Sequence, residues 1–178
     1  MSSTTPPTVI VLMGVSGSGK STVASELARL TGWEFRDADS FHPPANIEKM
    51  SKSIPLTDDD RWPWLDAIGA WMDDRLANRQ PGIVTCSALK RAYRNRIGAK
   101  RNGVGLVYLL GSEHMIAARL AARQDHFMPP GLLASQFATL EEPGPDEKAL
   151  VVGIAMPPSF MAKTIVDKLH LPANGRTA

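Results

Sequence analysis

Apolar residues gather into five short runs, Val9 to Met13, Glu34 to Ala38, Gly82 to Cys86, Val104 to Leu109 and Leu150 to Ile154, separated by stretches with helical spacing. Ile10-Val11-Leu12 and Leu106-Val107-Tyr108-Leu109 are continuous rather than alternating. A strand apolar on both faces has to be covered on both, which is what helical crossovers between parallel strands provide. The pattern therefore predicts an α/β fold, a three-layer sandwich around a five-stranded parallel sheet, with its ligand at the carboxyl ends of the strands. After the first run, Val23, Leu27 and Leu30 make one helical stripe.

Two intervals break the rhythm. Between the second and third runs, residues 39–81 contain a loop, a short helix around Ile47 to Met50, and a longer helix with Trp64, Ile68, Trp71 and Met72 on one face. Bulky residues at that spacing read as core against the sheet, the alternative being a ligand platform, and so long a connection reads as a substrate-recognition insert. A second irregular stretch, Gln124 to Gly131, follows a helix ending near Arg123 and leads into a helix carrying Leu133, Phe137 and Leu140. This predicts a mobile lid over about 123–142.

The first strand runs directly into Gly14-Val15-Ser16-Gly17-Ser18-Gly19-Lys20-Ser21, followed by Thr22, which fits G-x-x-x-x-G-K-[ST] in its required strand–loop–helix setting. The glycines let successive amides point into one concavity at a helix N-terminus, a natural cradle for phosphate. Lys20 is then placed to reach the β- and γ-phosphates and the Ser21 hydroxyl to ligate Mg²⁺. The third run ends in Thr85-Cys86-Ser87 with no acid to help hold a metal, so a carboxylate has to come from elsewhere.

Asp37 and Asp39 close the second run, and strand alternation would put both carboxylates on one side. Asp37 is assigned to the Mg²⁺ water shell and Asp39 to the acceptor hydroxyl as base or orienting group; turn or cap carboxylates are the plain alternative. Asp58 and Asp59 read as first-turn acids of the Trp-rich helix. Arg61 offers a planar fork for a substrate carboxylate, while His42, Asn46 and Lys49 suit a polyhydroxylated molecule. Arg119 and Arg123 share a helical face and can converge on a polyphosphate, the alternative being a solvated basic face.

Composition adds limits. The 178 residues, 43% of them hydrophobic, suit one domain over 1–178, with tails expected at 1–7 and 172–178. A net charge of +2 demands neither nucleic acid nor an anionic membrane. A single cysteine, Cys86, excludes an internal disulfide, and the first residues lack the pattern of a signal peptide or anchor, so a cytoplasmic location is expected.

Together, the loop, Asp37-Ala38-Asp39-Ser40-Phe41-His42-Pro43, Asn46 to Met50, Pro55 to Arg61, Pro63-Trp64-Leu65, Cys86 to Lys90, His126-Phe127 and Gln136 to Pro143 resemble the gluconokinase family, relatives of shikimate kinase and the nucleoside monophosphate kinases. The resemblance implies a P-loop kinase that uses ATP and Mg²⁺ to phosphorylate the 6-hydroxyl of D-gluconate, giving 6-phosphogluconate for the pentose phosphate or Entner–Doudoroff routes, usually as a homodimer. It also implies that Arg123 contacts nucleotide phosphates, and that Lys90 and His126 line the sugar-acid pocket. The chain departs from the family at Ala38 and Ser53, where glycine is common; a positive φ at Ser53 would strain that turn. Three alternatives remain: a shikimate kinase, disfavoured because the chain reads Cys86-Ser87-Ala88-Leu89-Lys90 after the third strand, where that family has a triple-glycine turn, a nucleoside monophosphate kinase, and a nucleotide-dependent switch docking RNA or a protein through a basic helix from Lys90 to Arg101.

Overall fold

The computed structural model describes residues 5–122 and 130–174. Five strands, β1 (Val9–Met13), β2 (Glu34–Asp37), β3 (Gly82–Thr85), β4 (Val104–Leu110) and β5 (Leu150–Gly153), form one sheet in the order β2-β3-β1-β4-β5. All pairings are parallel, with Val9 opposite both Gly82 and Val104. Every expected strand is present, each within one residue of its expected end. The helices are α1 (Lys20–Thr31), α2 (Pro44–Ser51), α3 (Asp58–Ala77), α4 (Arg91–Ile97), α5 (Glu113–Ala122), α6 (Pro130–Thr139) and α7 (Pro158–Leu169).

The alternation of β1 divides the interior. Ile10 and Leu12 face one apolar layer with Val23 and Leu27 of α1, Ile116 of α5, Leu133 of α6 and Met161 and Ile165 of α7. Val9, Val11 and Met13 face the other, with Leu65, Ile68 and Met72 of α3 and Tyr93 and Ile97 of α4. All five β1 side chains are buried, which is why that strand reads as an unbroken apolar run. β1 is flanked by strands reached through crossovers in opposite directions, so a crevice opens at its carboxyl end.

Two expectations change. β2 ends at Asp37, and Ala38–Phe41 is a 3-10 turn, so Asp39 leaves the strand and alternation does not relate the two acids. The expected tail is held in place at its start, where the Asn174 amide donates to the Leu30 carbonyl at 2.8 Å and fastens the chain to the end of α1. Among the described residues no helix is long and apolar enough to cross a membrane.

Candidate active site

The crevice holds a cavity of about 300 Å³ lined by Ser16, Gly17, Gly19, Lys20, Ser21, Thr22, Asp37, Ala38, Asp39 and Trp64 among others. A larger cleft of about 450 Å³ at the amino end of β4 contains Lys100 and Arg101 but none of the candidate catalytic, nucleotide or substrate residues.

The loop turns through positive φ at Gly14, Gly17 and Gly19. At Gly17 a Cβ would also come within 2.9 Å of Leu120 and 3.0 Å of Ile116, so α5 packs where a side chain would stand. Lys20 Nζ donates to the carbonyls of Gly14 (2.9 Å) and Val15 (3.1 Å), which folds the ammonium back over the loop. Burial pulls its pKa down to about 8, against the opposing pull of Cys86, Asp37 and Asp39. The same burial pushes the Cys86 thiol up to about 12, an inert packing group. Ser18 Oγ is buried without a partner among the described residues, an unsatisfied donor inside an anion cradle.

Asp37 joins the loop to the acceptor side. Its Oδ2 accepts from the Ser21 hydroxyl at 2.8 Å and its Oδ1 from the Asp39 amide at 3.0 Å, so this carboxylate is the cap of the 3-10 turn and stands against the loop. A hydroxyl and a carboxylate in contact are a hard oxygen pair of the kind Mg²⁺ accepts alongside phosphates and water. The Asp39 side chain is 89% exposed, free to meet an incoming hydroxyl, with His42 Nε2 4.0 Å from its Oδ1.

Trp64 is the floor beyond Asp39. Its indole N–H donates to the Ala38 carbonyl at 2.7 Å, and the His42 ring stacks on it at 4.3 Å. Burial, with Arg61 nearby, holds His42 below its ordinary pKa, so it stands neutral at pH 7. Trp64 packs against the core, as its spacing predicts, and also borders the cavity, because helical spacing reports which face is apolar and not which end meets a cavity.

Asp58 stands in the first turn of α3, as expected, and has further partners besides. The cap itself is a reciprocal box between Thr57 and Asp60, while Asp58 faces α4. It accepts from the Tyr93 hydroxyl, lies 3.1 Å from Lys90 Nζ and 3.6 Å from Arg61 Nη1, and these donors, Tyr93 first, hold its carboxyl below the usual range. Two cations against one carboxylate leave one net positive charge for an acidic ligand. No local motif marks Tyr93, which joins the cluster only through tertiary packing of α4 on α3.

Of the other sequence candidates, Lys49 binds both Asp60 oxygens at 2.7 and 2.8 Å, tying α2 to the start of α3. Arg119 donates to the Ile154 carbonyl, and its guanidinium lies 4.0 Å from where a Gly19 Cβ would be, alongside the loop. Arg123 and His126 fall outside the described residues. The stretch offered as a basic RNA-docking helix is helical only over Arg91–Ile97, and its cations are engaged by acids. Arg91 and Lys100 pair with Asp146, Arg96 with Asp66 and Arg101 with Asp73, while Arg94 is buried against Glu147.

Arg94 has a local task as well. It grips Glu147 at 2.6 and 3.0 Å and donates to the carbonyls of Ala88 (2.9 Å) and Leu89 (3.2 Å). Ala88 sits at φ 45, a left-handed conformation that a non-glycine residue holds only when its surroundings impose it. The buried pair thus sets the bend that delivers Lys90.

Residues 9–143 match the family described as AAA domain. The chain is 44% identical over 160 residues to the gluconokinase of Gluconobacter oxydans, covering 90% of each. It is 45% identical over 150 residues to the thermoresistant gluconokinase of Escherichia coli, covering 84% of this chain and 86% of that one. The chain belongs to the gluconokinase family. The crystal structure of a gluconokinase from Sinorhizobium meliloti superposes with a TM-score of 0.81 at 47% identity, covering 92% of each chain. Gluconokinase family membership therefore rests on sequence and on the whole fold, insert included.

Proposed function

We propose that this protein is an ATP-dependent kinase that phosphorylates the 6-hydroxyl of D-gluconate. The observation that carries this reading is that one cavity is lined at one end by the phosphate loop and at the other by Asp39 and Trp64, with the Arg61–Lys90–Asp58 cluster beyond. A linear sugar acid with a carboxylate at one end and a reactive alcohol at the other matches that order of groups.

When bound, Mg²⁺-ATP supplies the transferable phosphoryl group and neutralises part of its charge. The loop amides and Lys20 hold the phosphates, and Ser21 and Asp37 are the side chains that would hold the metal. Asp39 accepts the hydrogen bond of the acceptor hydroxyl and takes its proton as the oxygen attacks. Neutral His42 hydrogen-bonds a sugar hydroxyl, and Arg61 and Lys90 receive the carboxylate. Arg119 lies beside the loop to counter phosphate charge, Arg123 is assigned the same task and His126 a sugar-acid contact, while Lys49, bound to Asp60, holds α2 at the edge of the sugar-acid pocket. The same reading takes a homodimer as the assembly, which light scattering on purified protein would test.

The experiment is an ADP-release assay with D-gluconate, shikimate and nucleoside monophosphates offered separately. Turnover that requires gluconate supports the reading; turnover on shikimate or a nucleotide instead, or ATP hydrolysis indifferent to gluconate by folded protein, overturns it.

A further inference from the structure

One side chain reaches the phosphate loop from 120 residues away. Gln136 Oε1 accepts the Ser16 backbone amide at 2.7 Å, and Gln136 Nε2 donates to Ser16 Oγ at 2.8 Å. The amide orientation is fixed by chemistry, since a backbone N–H can only donate and must face the oxygen. Ser16 lines the cavity, whereas Gln136 comes to it from α6, half-buried.

The helix that carries Gln136 is held at Leu133 and again just past its last turn. Leu133 is buried in the apolar layer with Ile116. Just past α6, the Glu141 amide donates to the Leu89 carbonyl at 2.8 Å and the Glu141 carboxylate accepts the Arg91 amide at 2.7 Å. Two adjacent loop residues are therefore braced from helices on either side of 123–129: Gly17 by the apolar contacts of α5, Ser16 by the amide of α6.

We infer that Gln136 is a positioning residue for the nucleotide: by claiming both the amide and the hydroxyl of Ser16, it holds the phosphate loop in its binding shape and ties that shape to the docking of α6. The inference rests on the kinase reading above. A glycine-rich loop loses much conformational freedom on binding, and a bidentate brace from a packed helix removes part of that loss in advance. The coupling runs both ways, so nucleotide bound in the loop holds α6 down.

The test is direct titration of Mg²⁺-ADP in the absence of gluconate, with kinetics alongside. Gln136→Met keeps the length and removes both hydrogen bonds; it should weaken Mg²⁺-ADP binding roughly tenfold and raise the KM for ATP, with the gluconate KM unmoved. Ser16→Ala removes only the hydroxyl half and should weaken binding about threefold, and the double variant should be no weaker than Gln136→Met alone, the signature of a shared contact. Wild-type affinity in Gln136→Met, additive losses, or an equal rise in gluconate KM overturns the inference. Should Gln136→Met fail to fold, hydrogen exchange on the wild type decides: Mg²⁺-ADP must slow the amides of residues 134–139 as well as those of the loop, and protection confined to the loop overturns it. A wild type that neither binds Mg²⁺-ADP nor turns over gluconate sinks the kinase reading instead, which keeps the two failures apart.

Discussion

At the phosphate loop the groups facing the cavity are main-chain amides and one ammonium held by carbonyls of its own loop, whereas beyond Trp64 they are side chains locked to one another from separate helices. The first end needs only a strand, three left-handed glycines and a helix start, all between Val9 and Lys20. The second needs α3, α4 and the bend before α4 to meet before Arg61, Lys90, Asp58 and Tyr93 share one place. The loop end therefore recognises a general chemistry, phosphate, and tolerates few changes in place; the acceptor end sets specificity and depends on distant packing.

The hardest blow to the loop end is Lys20→Ala. Electrostatic stabilisation of the moving phosphoryl group dominates this reaction class, so kcat should fall by roughly a hundredfold or more. Measured at saturating ATP and gluconate, a kcat near that of the wild type would mean that the backbone cradle suffices alone.

At the acceptor end the largest effect should come from a residue that touches no substrate. Glu147→Gln breaks the bidentate pair with buried Arg94, and stranding a buried charge costs about 3–5 kcal/mol of folding stability. The urea midpoint should drop accordingly, and the gluconate KM should rise because Ala88, Leu89 and Lys90 lose their template. Replacing both partners, Arg94→Met with Glu147→Leu, should recover much of the stability without recovering the KM. Recovery of both would make the pair a packing feature alone.

Arg61→Ala makes the comparison at the substrate itself. Loss of a charge-assisted fork should raise the gluconate KM by roughly ten- to a hundredfold with a much smaller change in kcat. The reverse split would place Arg61 with the reacting atoms and not with the carboxylate.

This division also explains what the sequence revealed. All five strands and the loop were legible, because each follows from residues close in the chain or from an unbroken apolar run. The insert was legible as an element but not as a site. Asp58 is the first-turn acid its position implies, but its partners Tyr93 and Lys90 come from outside that helix and leave no local mark. Tyr93 and Gln136 carry no local signal, since their partners lie 35 and 120 residues away. Strand alternation failed at Asp39 because Asp37 caps a 3-10 turn and ends the strand early. Ser53 went the other way: it does sit at φ 56, the strained turn that replacing a glycine implies.

The smallest expected effect concerns pH and the Lys49–Asp60 pair. Hydrogen bonding from Lys49, then from the Thr57 amide, lowers the Asp60 pKa to about 2, well below its ordinary value of 3.8. A carboxylate depressed on folding contributes stability that is complete above its unfolded pKa and fades as pH falls through the folded one. The window for this group is therefore pH 4 down to 2. Asp60→Asn abolishes the titration, so the gap between wild-type and variant urea midpoints should be full at pH 6, intact at pH 5, and shrinking steadily below pH 4. A gap that stays constant to pH 2.5 would mean that Asp60 acts as a neutral cap of α3 and that Lys49 is free of it, ready for substrate; a closing gap keeps Lys49 as the tie that holds α2 against the acceptor site.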